Sequence, residues 1–124
     1  MSRALVYRVQ APDGRGPWRP GWSHTWVDAD APVGRTSETL MDLIPADIMR
    51  SLPRGWSYGC ACRSMDALLD WFTPVERLRL AEHGYSPVRL WVDVVLAESE
   101  WQLVFARRRP LTDGATRLRW GRDA

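Results

Sequence analysis

Cys60 and Cys62, with His24 and His83 elsewhere in the chain, offer the sulfur and imidazole donors of a zinc site. Their spacing does not suit one, because structural zinc knuckles present ligand pairs separated by two residues and here a single residue stands between the cysteines. Small apolar packing at the end of a strand is the role this spacing favours, so no metal is expected. His83, directly before Gly84, reads as a cation offsetting a helix C-terminus. No Gly-rich phosphate loop leads into a lysine, and there is no nucleophile elbow, which excludes nucleotide hydrolysis by the common routes. Gly14 and Gly16 around Arg15 could aim backbone amides at an anion; a plain turn uses the same residues.

The aromatic residues carry the stronger signal. Eight tryptophans stand against three tyrosines and two phenylalanines in 124 residues. Each indole is a large apolar body with one donor to place, and it fills a core, lines a pocket or anchors a partner. Trp18, Trp22 and Trp26 lie four apart in a segment broken by Pro17, Pro20 and Gly21, which is not a continuous helix. They predict a loop bearing aromatic surface, and together with Arg15 and Arg19 they form a candidate partner-binding set.

All seventeen basic residues are arginine, a pattern that coding bias explains and that recognition of phosphate or carboxylate would also use. The formal net charge of +2 is unevenly spread: six arginines lie between Arg107 and the C-terminus against Asp113 and Asp123. Nucleic-acid contact through Arg107, Arg108, Arg109, Arg117 and Arg119 is the sharp reading of this segment, and a solvated tail is the plain one. The expected organisation is a single domain over residues 1–109 followed by an arginine-rich tail over 110–124.

A chain of this length buries roughly two-thirds of the surface its unfolded form exposes, so it needs no disulfide scaffold. Neighbouring side chains on one strand face run parallel, which is poor geometry for a Cys60–Cys62 bridge, and reduced cysteines fit a cytoplasmic location. No apolar run is long enough to span a bilayer, and the first ten residues lack the apolar block of a secretory signal. A protein without membrane association is expected, its oligomeric state left open.

The elements that must position these groups can be read from periodicity. Residues 5–10 alternate as a half-buried strand with Leu5, Tyr7 and Val9 on the apolar side and Arg8 on the polar one. Four prolines and four glycines between Ala11 and Gly34 then make a long loop. Ser37 caps a predicted helix from Glu38 with Leu40, Met41, Leu43 and Ile44 on one side, and a short turn follows over residues 46–52. Residues 56–62 read as a strand, and Ser64 caps the next helix. Thr73, Pro74 and Glu76 form a capping-box start for a helix that Gly84 stops. A strand from Pro87 to Leu96, apolar on both faces except at Asp93, should be central, with residues 101–105 as its hairpin partner. The fold class expected is α+β, a small mixed or antiparallel sheet with helices on one face.

Arg8 on the first strand, Ser64 after the second, and Glu98 and Glu100 at the turn into the last resemble the arginine, serine, glutamate order of the ADP-ribosyltransferase family. That resemblance implies an enzyme using NAD, with Arg8 on a phosphate, Ser64 on the ribose side, and Glu98 or Glu100 stabilising the oxocarbenium. Cys60-Ala61-Cys62-Arg63-Ser64 departs from it, carrying one hydroxyl where the family has several. The chain is also similar, over most of its length, to short phage and prophage proteins with a Tyr-Arg strand, a Gly-x-Gly-Pro-aromatic loop (Gly14 to Trp18) and a serine-started helix ending in Trp71-Phe72. That likeness implies an accessory protein without a cofactor, one that binds and inhibits a host protein or nucleoprotein complex in an anti-defence role. Enzyme, protein binder and nucleic-acid binder all stay open at this level.

Overall fold

The alternating runs near the two ends of the chain pair with each other. In the computed structural model, which describes residues 3–18, 21–30, 44–52, 54–100 and 102–121, β1 (Ala4–Gln10) lies antiparallel to β3 (Ser86–Val92), with Leu5 opposite Trp91 and Arg8 opposite Val88. β6 (Thr116–Arg117) completes this sheet on the other side of β3. The second sheet has β5 (Leu103–Arg107) between β2 (Ser57–Ala61) and β4 (Val94–Glu98), again all antiparallel. With three α-helices among the described residues, α1 (Ala46–Ser51), α2 (Met65–Trp71) and α3 (Pro74–Glu82), the class is α+β as expected, although the strands divide into two sheets.

The sheets face each other across one core. Val6, Val88, Leu90 and Val92 pack against Ala61, Leu103 and Phe105, all at 6 % exposure or less. Each buried Val, Leu or Phe among them contributes roughly 1.5–3 kcal/mol of transfer free energy. Paired backbone hydrogen bonds between Tyr7 and Cys62 (2.9 and 2.7 Å) join the sheets at one corner. At the other corner stands Asp93, and the single strand expected from Pro87 to Leu96 breaks there. The Asp93 carboxylate accepts from the Arg108 amide at 2.7 Å, so the chain turns from the first sheet into the second.

The more buried face of β1 is also the reverse of the expected one. Val6, Arg8 and Gln10 point between the sheets, whereas Leu5 and Tyr7 are half-buried. Tyr7 and Val9 instead meet a second core made by Trp26, Leu68, Trp71, Phe72, Leu80 and Tyr85, where α2 and α3 cover one side of the sheet.

Local signals locate the helices well. Ser64 Oγ accepts from the Ala67 amide at 3.0 Å and caps α2; Thr73 and Glu76 make the reciprocal capping box of α3, with Pro74 in its first turn. Gly84 ends α3 at φ +85°, a conformation that disfavours any side chain. The start of the helix expected from Glu38 lies outside the described residues.

Glu76 does more than close its own box. It is fully buried, and its second oxygen accepts from the Asp28 amide at 2.9 Å, tying the tryptophan loop to α3. Glu76→Ala strands two amides at once and should lower stability by about 2–3 kcal/mol in chemical denaturation. A loss below about 0.5 kcal/mol would show that the loop is held by other means.

Residues 110–121, expected as a tail, fold into the domain. Besides the β6 pairing, the Leu118 amide donates to the Pro87 carbonyl (2.8 Å), Gln10 Nε2 donates to the Leu111 carbonyl (3.0 Å), and Trp120 meets Phe72 edge-on at 6.0 Å.

Candidate functional site

Arg8, Ser64, Glu98 and Glu100 do not form a common site by any contact in the structure. Arg8 is 7 % exposed between the sheets, its guanidinium 5.7 Å from the Phe105 ring centre, and its Nε and Nη1 have no hydrogen-bond partner. Gly16 and Gly59 make room for it: a Cβ added at Gly16 would come within 2.9 Å of Nη2, and one at Gly59 within 3.3 Å of Nη1. Burial pushes its pKa down to about 10, opposed weakly by Cys60. No hydrogen bond joins Arg8 to Asp93, whose carboxylate instead accepts from the Arg108 amide at the strand corner. Ser64 is a helix cap. Glu98 sits at the surface in a two-pronged ion pair with Arg63 (2.8 and 2.7 Å), which holds its carboxyl below the ordinary range, and Glu100 is exposed. The NAD-using arrangement therefore has no support in the geometry.

The tryptophan loop turns mostly inward. Trp26 is 0 % exposed and its Nε1 donates to the Pro17 carbonyl at 3.0 Å, so it is a core residue and not the partner anchor its spacing suggested. Trp22 is half-buried, stacked on Tyr85 at 5.3 Å with its ring 5.2 Å from His83. Trp18 alone of the three keeps substantial exposure, 44 %, while resting edge-on against Trp26 at 4.6 Å. Arg15 is held by Asp13 at 2.6 Å in a turn closed by Ala11, Gly14 and Arg15 backbone bonds, which is the plain-turn reading of Gly14 and Gly16. Arg19 lies outside the described residues.

Cys60 and Cys62 are unbridged, and no three His, Cys, Asp or Glu side chains cluster as a metal site among the described residues. Cys62 is buried, and desolvation first, then Cys60, pushes its thiol up to about 12, far from a reactive thiolate. His83 is the C-cap of α3.

A different set of residues does converge. A cleft of about 320 Å³ is lined by Arg3, Trp91, Val92, Asp93 and the consecutive Arg107, Arg108 and Arg109. Trp91 is 47 % exposed and the Arg3 guanidinium lies over its ring at 5.0 Å. Arg108 lies over Trp56 at 5.5 Å. Arg107, read as a candidate nucleic-acid contact in a charged segment, ends β5 at 1 % exposure. Its Nη2 donates to the Asp113 carbonyl at 2.8 Å and its Nη1 has no acceptor. Burial, then the charge of Arg109, lowers its pKa. Arg109 makes a long, half-exposed contact with Asp113 at 3.5 Å; Arg117 and Arg119 are exposed beyond the cleft.

Sequence reasoning found the three consecutive arginines but not Arg3, Trp56 or Trp91. The one available signal was the alternation of β3, which puts Arg89 and Trp91 on the same side, both exposed. Among the described residues no helix is long and apolar enough to cross a membrane. The model of a family described as "Bacteriophage T4 Y00F protein" matches residues 1–113. No curated protein and no solved structure matches the chain.

Proposed function

We propose, for a chain that belongs to the Bacteriophage T4 Y00F protein family, a binding role: it is a phage accessory protein that occupies the surface of a host protein or nucleoprotein complex through its arginine–tryptophan cleft. The observation that carries this reading is Trp91, a half-exposed indole among four arginines on a rigid sheet. Exposed tryptophan and arginine are the residue types that dominate binding hot spots, and a strand holds them at little ordering cost. The loop around Trp18, which first suggested an anchor, has two of its three rings packed inward and offers a smaller surface.

Recovery of host components on the immobilised chain tests this directly. Trp91→Ala should reduce recovery of the bound species by roughly tenfold or more while leaving the melting curve in place. Trp18→Ala should change recovery far less. Equal recoveries with wild type, Trp91→Ala and Arg108→Ala would overturn the assignment of this face.

A further inference from the structure

Resting on the reading that this face binds, we propose that the cleft is a phosphate site and that its ligand is the phosphodiester backbone of a single-stranded nucleic acid, with one base laid on Trp91. Arg107 is the starting point. Its guanidinium is taken out of water at 1 % exposure, one nitrogen is satisfied by the Asp113 carbonyl, and Nη1 is left without an acceptor. A buried cationic donor with an open valence is costly, and an anion in the cleft that Arg107 lines would supply what is missing.

The surrounding charges favour the same ligand. Four arginines line the cleft against one carboxylate, and that carboxylate, Asp93, already accepts from the Arg108 amide. The planar fork of a guanidinium matches two phosphate oxygens, whereas an isolated acidic side chain would meet too many donors. The volume of about 320 Å³ is at the small end of ligand sites, suited to a phosphate and its sugar rather than to a docked helix.

Aromatic rings interleaved with these cations point to single strands. Trp91 is 47 % exposed with the Arg3 guanidinium over its ring at 5.0 Å, and Arg89 is exposed two residues before it on β3. Indoles beside a cationic track are how single-stranded nucleic acids are held, because an unpaired base has a free π-face and a base within a duplex does not. Binding would exchange the Arg3 guanidinium over Trp91 for a base and release Arg3 to the backbone.

The test is fluorescence anisotropy of the full chain with a labelled 12-nucleotide oligothymidine over a range of salt, beside a duplex of equal length and a polyglutamate peptide. The oligothymidine should bind more tightly than either comparison. Its log affinity should fall linearly with log salt, with a slope of about −2 to −3 for three to four neutralised phosphates. Inorganic phosphate should displace it better than chloride at equal ionic strength. Trp91→Ala should weaken binding by about tenfold with the slope kept; Arg108→Gln should make the slope shallower by about 0.7. Both changed side chains lie at the surface, so folding can be checked by circular dichroism before binding is read. No binding at low salt, tighter binding of polyglutamate or of the duplex, or an unchanged affinity for Trp91→Ala would overturn the proposal. If host recovery still depends on Trp91 in those cases, only the choice of ligand fails and the binding face stands.

Discussion

Trp26→Ala should lower stability by about 3–5 kcal/mol, the range for a large buried aromatic, and drop the melting temperature by on the order of 15 °C. The ring is wholly enclosed, touching Trp18 and Phe72 at centroid distances of 4.6 and 5.6 Å, and its Nε1 leaves the Pro17 carbonyl without a donor when removed. It also fixes the loop it belongs to. The Trp26 and Val27 carbonyls accept from Arg79 Nη1 at 3.4 and 3.1 Å, so collapse around the cavity would disturb the docking of this loop on α3. Thermal melts followed by circular dichroism measure the effect, with Trp18→Ala as the exposed comparison. A drop of less than about 5 °C for Trp26→Ala would mean that the ring is not packed as described.

Arg8→Met should have the opposite sign. The Arg8 pKa of about 10, against an ordinary 12.5, means that the folded state disfavours the charged form by about 3 kcal/mol at neutral pH. Removing the charge while keeping an apolar stem recovers part of that, since the lost guanidinium contacts offset some of it; a net gain of about 1–3 kcal/mol is expected. The pH dependence identifies the cause. Between about pH 10 and 12.5 the unfolded chain holds the Arg8 proton more tightly than the folded one, so wild-type stability rises through that window relative to the variant. Below pH 10 the penalty is present in full. Urea denaturation of both proteins at pH 7 and pH 11 should therefore show a gap that narrows at the higher pH. A variant less stable than wild type at pH 7 would mean that the guanidinium has an acceptor in solution.

These two residues show where the sequence was legible and where it was not. Ser64 and the Thr73, Pro74, Glu76 box act within one turn of chain, so their hydrogen bonds follow from spacing alone. The strands around Leu5, Leu90 and Phe105 were legible for the same reason, as local alternation. What alternation does not contain is which face another layer covers. Val6 and Arg8 were read as the less apolar side of β1, but the second sheet packs on that side and encloses the guanidinium with the valines. Trp18 and Trp26 share residue type, loop and spacing, yet Phe72 and the Pro17 carbonyl take one inside and leave the other half-exposed. Asp93 was visible as the polar exception in an apolar run; that it breaks the strand depends on the Arg108 amide fifteen residues away.

The candidate site was half legible. Three consecutive arginines announce a charged patch, but Arg3 and Trp91 reach it only because β1 pairs with β3 in a register that sets Leu5 opposite Trp91. The NAD-using set finds no support for a related reason. Chain order placed Arg8, Ser64 and Glu98 correctly along the sequence, and the fold gave each a separate local task.

Photo-crosslinking in host cells tests the central claim most directly, with benzoyl-phenylalanine placed at position 91 in one protein and at position 18 in another. Efficient, discrete crosslinked species from position 91, and little or none from position 18, is the result this account predicts. Crosslinks that form at position 18 and are absent at position 91 would contradict it.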